Sequence, residues 1–568
     1  MREQKIQMPP LRYLFLAGVL LSFAAVSLAP VNAFAQSGEG SSTANAASTS
    51  DAAILQELER MRLRIQELEE QLKQRGPGAQ PTPAASQPGM PGTALVGTAH
   101  VGDSSPAMQP ASVSTSPDAV VVQQSSQPAA ENKGQPAATE PAAPFAFADW
   151  TWLNGNPRTK KPAFDSEFFT PEIRADVNYT YSFNHPADDT IGGSSEIFRS
   201  AEFQLEQLGV GGDFHYDNVQ VRLMTQFGMY SATTPRNDAS PARGNWDLDT
   251  AYRYLAEAYG GYHINALHGI NLQAGIFMSY VGLFSYYNFD NWAYQPSYVS
   301  SNTPWFFNGM RVQIFPTEKL KIEPWLINGW QSYGRFNNRP GVGGQILWRP
   351  TGWLSILGNQ YALGEDTLFT PGRVRYHTDD SIQVKYYDNQ NTWISKAAFS
   401  LTGDMGCEHG GGVSCTGNST HIVNGQTVVW PKQSFLGVMA YNRLWFHKDL
   451  YGLTLGGGKI NNPGRYLVLL PPINGATAIS GTPYFTENPG DPYKAWDVSA
   501  TFDYMPSQYI TFRSEYNHRE SSVPYFSCSG GITPPGGNQG APGSLVPGFT
   551  PDLCKHENRM TWAMMVKF

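Results

Sequence analysis

Apolar and polar residues alternate in repeated runs from about residue 170 to the carboxyl terminus. In the segment EIRADVNYTYSFN, every second residue from Ile173 to Phe183 is apolar, and the residues between them are charged or polar. Side chains of a β-strand point alternately to its two faces, so this period predicts a strand with one apolar and one polar face. The segments VQVRLMTQFGMY, AYRYLAEAYGGYHI and YITFRSEYNHR repeat the pattern.

The repeated strands are typical of a membrane barrel. Charged residues recur on the second face and aromatic residues lie at the ends of the apolar face, as a lipid-facing band around a polar interior requires. Backbone polar groups inside a bilayer must be paired within the protein, so the strands must close on themselves. The sequence predicts an all-β fold, a transmembrane antiparallel β-barrel over residues 145–568.

Short and long connections alternate along this region. Seven short turns are predicted at residues 216–219, 264–269, 316–319, 349–352, 388–391, 447–449 and 505–508. They join fourteen strands, and a first strand near 172–183 and a last near 557–568 make sixteen, with fourteen or eighteen as alternatives. Long outer loops are predicted at 185–199, 231–249, 281–304, 331–340, 364–378, 405–432, 460–493 and 521–556. A barrel of about sixteen strands encloses an aqueous channel.

The first 35 residues have the pattern of a secretory signal peptide. Arg2, Lys5 and Arg12 precede or flank an apolar run, and the small-residue pattern of Ala33 and Ala35 predicts cleavage before Gln36. The mature chain is therefore expected to be exported.

Two further segments are predicted between the signal peptide and the barrel. Residues 36–50 are predicted to be disordered. In residues 51–75, apolar residues follow an unbroken heptad spacing, which predicts an α-helical coiled coil, with a single surface helix as the alternative. Residues 76–144 are rich in Pro, Ala and Ser and lack the aromatic residues needed for a core until Phe145, which predicts a disordered linker.

Charged residues fall on the non-apolar face of several predicted strands. A cation facing lipid costs about 2 to 4 kcal/mol at the bilayer midplane, so the channel wall is the better location. The predicted channel-lining residues are Arg174, Asp176, Arg222, Arg253, Glu257, Arg311, Lys321, Glu323, Arg513, Glu515 and Arg559. For each of them, a structural salt bridge to a neighbouring strand is the alternative role.

The third long connection, 281–304, is unusually aromatic. So many aromatic side chains are costly to leave in water, which favours a loop packed against something rather than extended outward. By analogy with general porins, it is expected to form a constriction, with Phe284, Tyr286, Tyr287, Phe289, Asp290, Trp292 and Tyr294 as the candidate residues. There are two alternatives. The loop could pack against the barrel wall or a neighbouring subunit, or it could form an aromatic path that binds sugar rings.

The four cysteines all fall in predicted outer loops, which suits an oxidising compartment. Three pairings are open, and nearest-neighbour pairing, Cys407 with Cys415 and Cys528 with Cys554, is the simplest. Sequence motifs of hydrolases, zinc proteases and nucleotide-binding loops are lacking, and the pair Glu408 and His409 beside Cys407 is a weak metal candidate. Neither enzyme activity nor a cofactor or metal is expected. A net charge of −8 gives no indication of nucleic-acid binding.

A family resemblance rests on several long segments. FADWTWLNGNPRTK, SYVGLFSYYNFDNWAYQPSYVSSNTPWFFNGMRVQIFP, KLKIEPWLINGWQSYG, NPGRYLVLLPP and RSEYNHRESSVPYFSCSGG resemble the OmpL-like β-barrel porins of bacterial outer membranes. The resemblance implies an outer-membrane barrel with porin-type transport and no catalytic residues. The terminal Phe568 resembles the aromatic residue by which the barrel-assembly machinery recognises its clients.

The expected function is a porin, a water-filled channel for passive diffusion of small hydrophilic solutes. A substrate-binding channel, for example for sugars, and a surface adhesin are the alternatives. Sixteen-stranded porins resemble one another in being trimers, so a homotrimer embedded in outer-membrane lipid is expected. The coiled coil would then lie in the periplasm and could meet the cell wall.

Overall fold

The computed structural model describes residues 142–191, 196–235, 238, 246–335, 337–364, 372–417, 419–462, 493–522, 524–530 and 552–568. The predicted signal peptide, the disordered segment 36–50, the coiled coil and nearly all of the linker lie outside the described residues and stay predictions.

Sixteen antiparallel strands form a closed barrel, which confirms the predicted fold and strand number. Four more strands among the described residues make two small two-stranded sheets, β12 with β13 and β18 with β19. In chain order the strands are β1 (Phe169–Ser182), β2 (Phe203–Tyr216), β3 (Val219–Thr225), β4 (Leu255–Ile264), β5 (Ile270–Met278), β6 (Phe306–Thr317), β7 (Leu320–Ile327), β8 (Gly341–Thr351), β9 (Leu354–Leu363), β10 (Val374–Asp388), β11 (Ile394–His409), β12 (Ser419–Val423), β13 (Gln426–Trp430), β14 (Ser434–Phe446), β15 (Tyr451–Asn462), β16 (Tyr493–Ser507), β17 (Ile510–Ser521), β18 (Phe526–Ser527), β19 (Leu553–Cys554) and β20 (His556–Lys567).

The last strand closes the barrel against the first. The β1–β20 register runs from Arg174 opposite Lys567 to Ser182 opposite Arg559. The Phe568 backbone nitrogen donates to the Ile173 carbonyl (2.9 Å), so pairing continues to the final residue. Each barrel strand thereby has a hydrogen-bonded neighbour on both sides.

All seven predicted short turns are present, at one end of the barrel that we call the turn end. The long connections lie at the other end, the loop end. Two predicted loops were too long. The strand β10 begins at Val374, inside the predicted loop 364–378, because its ladder with β11 continues to the pair Val374 and His409. The hairpin β12–β13 lies inside the predicted loop 405–432, and its turn residues Asn424 and Gly425 have the positive φ angles that a tight hairpin favours.

The alternation along each strand sorts side chains between lipid and interior. On β1, Ile173 is 43% exposed on the outer surface, whereas Arg174 next to it is 6% exposed and points inward. On β16, Val498 is exposed between Trp496 and Tyr504, whose rings lie on the same outer face. The outer band is therefore apolar, and the charged residues line the inside.

Helices in the described residues are short. They are α1 (Tyr230–Thr233), α2 (Leu248–Tyr252), α3 (Tyr298–Ser301) and two 3-10 turns, Thr151–Leu153 and Asn288–Asp290. None of the helices in this part of the chain has the length and apolar character to cross a membrane.

Two of the described segments of chain lie inside the barrel and share one apolar cluster. The first is the connection between β5 and β6, residues 279–305, which we call the inner loop. The second is residues 142–161, the N-terminal segment. Both contribute buried aromatic residues to one apolar cluster, including Trp150 and Trp152 from the N-terminal segment and Trp292 and Tyr298 from the inner loop. The sequence predicted the inner loop as a constriction but did not predict that the N-terminal segment would lie inside the barrel.

The substitution Val498→Arg tests the orientation of the strands. It places a cation on the lipid face, and the expected loss is about 2 to 4 kcal/mol of unfolding free energy near the midplane, decreasing towards the interfaces. Urea unfolding in lipid vesicles measures it. Val429→Arg, on the exposed hairpin β12–β13, is the matched control and should change stability little. Equal effects of the two substitutions would contradict the assigned lipid face.

Candidate pore and its constriction

The inner loop lies inside the barrel and is held there by hydrogen bonds to carboxylates on several strands. The Tyr294 hydroxyl donates to Asp176 on β1 (2.8 Å), and the Tyr287 hydroxyl donates to Glu257 on β4 (2.8 Å). The Tyr294 backbone nitrogen donates to Glu515 on β17 (2.6 Å). On the other side of the closed barrel, the Tyr280 hydroxyl donates to the Gln360 carbonyl on β9 (2.7 Å), eight strands from β1. The inner loop therefore spans the interior.

A second set of bonds holds the far end of the inner loop to β16. The Ser297 hydroxyl (2.7 Å) and the Tyr298 backbone nitrogen (2.9 Å) both donate to Asp497. A carboxylate enclosed without a donor is costly, because its charge has lost its hydration. The wall carboxylates and the loop donors therefore stabilise each other.

One ion-pair cluster ties the inner loop to the closing strands. Asp290 lies 2.7 Å from Arg174 on β1 and 3.3 Å from Lys567 on β20. The Arg174 guanidinium also lies over the Tyr287 ring, 3.9 Å from its centroid. Burial alone would raise the pKa of Asp290, but the two cations outweigh it and hold the pKa below its ordinary value. Asp290 is therefore charged in neutral solution.

The structure places all seven predicted constriction residues inside the barrel. Six are buried, and Phe284 is partly buried with its ring 5.0 Å from that of Tyr441 on β14. The hydroxyl groups of Tyr286 and Tyr287 are bonded to Gln226 and Glu257. The aromatic side chains thus pack against the barrel wall, which was one of the alternatives considered from the sequence.

The N-terminal segment lies across the turn end. The Phe145 backbone nitrogen donates to the Glu318 carbonyl in the β6–β7 turn (2.7 Å). The Thr159 hydroxyl donates to the Gln508 carbonyl in the β16–β17 turn (2.7 Å). Between these contacts, Arg349 lies over the Trp150 ring, 4.7 Å from its centroid. The segment therefore spans a large part of the barrel mouth.

The N-terminal segment also contacts the inner loop. The Gly155 backbone nitrogen donates to the Asp290 carbonyl (2.9 Å). A Cβ at position 155 would collide with the carbonyl oxygens of Phe289 and Asn291, so only glycine permits this approach. One sequence feature could have indicated this contact. The segment FADWTWLNGNP is aromatic but has no strand alternation, so its rings must be buried against another part of the protein.

Two arginines of the barrel wall hold both inner segments. Arg443 on β14 and Arg513 on β17 share the carboxylate of Asp503, at 2.7 Å and 2.6 Å. Arg443 also donates to the Gly155 carbonyl (2.7 Å), and Arg513 donates to the Asn291 carbonyl (2.7 Å). We call these three side chains the arginine–aspartate node. Arg513 was a predicted wall residue, whereas Arg443 and Asp503 were missed although both lie on the inward face of their strands.

Ten of the eleven predicted channel-lining residues lie buried on the inward face of a barrel strand. Several form salt bridges, either between neighbouring strands, as in Arg222 with Glu257 (3.0 Å), or along one strand, as in Lys321 with Glu323 (2.5 Å). Arg253 is the exception, because it follows α2 and β4 begins only at Leu255. The helix, capped by the side chain of Asp247, takes up residues that the alternation had assigned to the strand.

Part of the wall carries polar groups without a hydrogen-bond partner among the described residues. Arg519 on β17 is 0% exposed, and its three guanidinium nitrogens have no such partner. Neither amide atom of Asn517 has one, and the facing Ser499 hydroxyl on β16 has none. The Arg519 guanidinium instead lies over the Tyr298 ring of the inner loop, 4.0 Å from its centroid.

The cysteines form the two nearest-neighbour pairs, Cys407 with Cys415 and Cys528 with Cys554. Both disulfides lie at the loop end. Glu408, beside the first pair, bonds to Arg375 (2.7 Å). Within the described part of the chain, no group of three or more His, Cys, Asp or Glu residues is placed to hold a metal ion.

Comparison with known proteins identifies one family. Residues 174–541 match the family described as "Putative beta-barrel porin-2, OmpL-like". No curated protein matches the chain. Solved structures that are similar include outer-membrane expressed OmpT of Vibrio cholerae, at 10% identity and a TM-score of 0.40, covering 71% of this chain and 99% of that chain. An anion-selective porin from Comamonas acidovorans is similar at 9% identity and a TM-score of 0.39, covering 70% and 99%. Salmonella typhi OmpF in complex with daunomycin is similar at 10% identity and a TM-score of 0.37, covering 70% and 97%.

The substitution Asp290→Asn tests the ionic anchor of the inner loop. Because the pKa of Asp290 is lowered from 3.8, its stabilising charge is present above that ordinary value and is lost as the pH falls through the folded value. We expect current fluctuations in planar bilayers to increase for the native protein only in strongly acidic solution. Asp290→Asn should show them already at neutral pH.

Asp217→Asn, in the exposed β2–β3 turn, is the control for the loss of one carboxylate. It should keep the native response to pH. A native-like record from Asp290→Asn at neutral pH would mean that this ion pair does not hold the inner loop.

Proposed function

The chain belongs to the OmpL-like β-barrel porin-2 family, and on that premise we infer that its pore is narrowed from within by the inner loop and the N-terminal segment. The protein is an outer-membrane porin that forms a water-filled channel for passive diffusion of small hydrophilic solutes. The family and the barrel fold indicate a channel rather than an enzyme.

The observation that supports a hydrated path is the charged inward face of the closed barrel. Ten of the predicted channel-lining residues lie on the inward face of a barrel strand, where several of them pair with one another. On the lipid face, each cation among them would cost about 2 to 4 kcal/mol near the midplane. A closed barrel of sixteen strands is wide enough to enclose an aqueous channel, which a passive path for hydrophilic solutes requires.

The alternative of a sugar-binding path receives no support from the inner loop. A sugar site would present aromatic faces to the solute, whereas Tyr287, Phe289, Trp292 and Tyr294 are all 6% exposed or less. The Arg174 guanidinium covers the Tyr287 ring, and the Tyr294 hydroxyl already donates to Asp176. We therefore propose a size-limited channel rather than one that recognises sugar rings.

We propose that the turn end faces the periplasm. The chain enters the described region beside the β4–β5 turn, where the His268 ring nitrogen lies 2.9 Å from the Ala142 carbonyl. This position supports a linker and coiled coil on the periplasmic side, where the coil could meet the cell wall. At the same end, the partly exposed Phe568 ring stacks on Tyr509 with centroids 5.2 Å apart, which supports its proposed recognition by the assembly machinery.

Matched truncations test the proposed constriction in planar bilayers. Deleting residues 36–141 removes the predicted segment 36–50, the coiled coil and nearly all of the linker, and it should leave single-channel conductance unchanged. Deleting residues 36–161 also removes the N-terminal segment and should raise conductance, because the turn end then opens. Equal conductance of the two truncated proteins would show that the N-terminal segment does not narrow the path, and the absence of stepwise conductance in the full-length protein would refute the channel.

We further propose a homotrimer. The heptad pattern of residues 51–75 supports an oligomer but does not fix the number of chains, and the number three rests on the analogy with sixteen-stranded porins. Chains gathered by their barrels raise the effective concentration of a short coil, so deletion of residues 51–75 should loosen the assembly without unfolding the barrel. Native mass measurement in detergent checks both proteins. A monomeric full-length protein would contradict the proposal.

A further inference from the structure

A cleft of about 340 Å³ opens at the turn end, between the N-terminal segment and the turns that follow β10 and β14. We call it the turn-end cleft. Its volume is in the range of sites for small molecules. Its lining is rich in charged residues of both signs, so its preference depends on which charges are already paired.

Each carboxylate that lines the turn-end cleft is engaged with a protein donor. Asp449 lies 2.5 Å from Lys396 and accepts from the Ser395 hydroxyl (2.7 Å). Asp388 lies 2.6 Å from Lys385. Asp149 accepts from the backbone nitrogen and the hydroxyl of Thr151, at 2.9 Å and 2.7 Å. The charges of Asp449 and Asp388 are therefore compensated by lysines, whereas Asp149 is bonded to neutral donors and keeps its charge.

Three cations in the lining have no carboxylate partner within 4.0 Å among the described residues. They are Arg158 and Lys160 of the N-terminal segment and Lys448 of the β14–β15 turn. Lys160 and Lys448 are exposed, and one guanidinium nitrogen of Arg158 donates to the Met505 carbonyl (2.8 Å), which fixes the position of that side chain. With Lys385 included, five cations and three carboxylates surround the cleft, which leaves a net excess of two positive charges.

The backbone that carries these cations is held in place. Lys448 lies between two residues that also have positive φ, and the following Asp449 anchors this turn to Ser395. The Lys160 backbone nitrogen donates to the Gln508 side chain (3.3 Å). Preorganised cations around a cleft attract small anions and lower the ordering cost of binding them.

We propose that the turn-end cleft is a binding site for small oxyanions that carry phosphate or carboxylate groups. The inference rests on the proposed channel, because a site at this mouth would concentrate anionic solutes where they enter or leave the pore. Arg158 would supply a planar donor pair, and Lys160 and Lys448 would supply point charges.

Inorganic phosphate is the probe. The full-length protein in phosphatidylcholine bilayers, with chloride as the carrier ion, should show a saturable decrease in current when phosphate is added at the turn end. The variant Lys160→Gln with Lys448→Gln should weaken the block by about tenfold, which corresponds to about 1.4 kcal/mol of binding free energy. Adding Arg158→Gln should abolish saturation. Heat modifiability on gels verifies that each barrel is folded.

The matched control replaces three exposed lysines at the loop end, Lys432, Lys494 and Lys555, by Gln. It removes the same net charge and should keep the native block. An equal loss of block in the control, or a block that never saturates, would mean general screening of the pore and would overturn the site. Phosphate binding measured by calorimetry in detergent gives a readout that does not require conduction.

The outcomes separate this inference from the proposed function. A protein that conducts chloride but neither binds phosphate nor is blocked by it would refute the site and leave the channel standing. Binding that the cleft variants abolish, in a protein that does not conduct, would support the site and refute the channel. An unchanged block in phosphatidylglycerol bilayers supports a soluble ligand, whereas a block lost there would assign the cleft to lipid headgroups and overturn the inference.

Discussion

The arginine–aspartate node is the interaction on which the barrel interior depends. The carboxylate of Asp503 accepts from two guanidinium groups, and each of them also donates to the backbone of a different inner segment. Removing one member of such a buried set leaves an uncompensated charge, which costs about 3 to 5 kcal/mol. Because Arg443 bonds to Gly155 and Arg513 bonds to Asn291, the wall, the inner loop and the N-terminal segment are coupled at one point.

The node is possible only because the barrel is closed and its strands are in register. Arg513 and Asp503 are directly opposite each other on β17 and β16, and Arg443 reaches the same carboxylate from β14. A slip of one residue in either strand would turn these side chains towards lipid. The same parity places Val498 in the bilayer and Asp497 against the inner loop, so lipid packing and interior hydrogen bonding select the same register.

Alternation along the sequence was enough to predict the sixteen strands and the seven short turns, because both follow from local pattern. The inward course of the inner loop could be expected from its aromatic content, since rings such as Trp292 and Tyr294 need a partner surface. Parity, however, gives only the face of a residue and not its partner. The sharing of Asp503 by Arg443 and Arg513, and the approach of Gly155 to Asn291, join positions far apart in the chain that no local pattern connects. Arg253 was wrongly assigned to a strand, because the alternation appeared to continue through it. A short capped helix occupies the residues just before β4 instead.

The location of the N-terminal segment sets an order of events for folding. Asn156 donates to the Ser507 carbonyl, a contact between residues 351 positions apart. The residues that precede the first strand therefore have no docking site until the strands near the carboxyl terminus have formed. Contacts of such long sequence separation form late and slow the reaction, because loop-closure entropy must be overcome first. The barrel must consequently pass through a stage in which its lumen is wider than in the finished protein, and the start of the chain is among the last parts to settle.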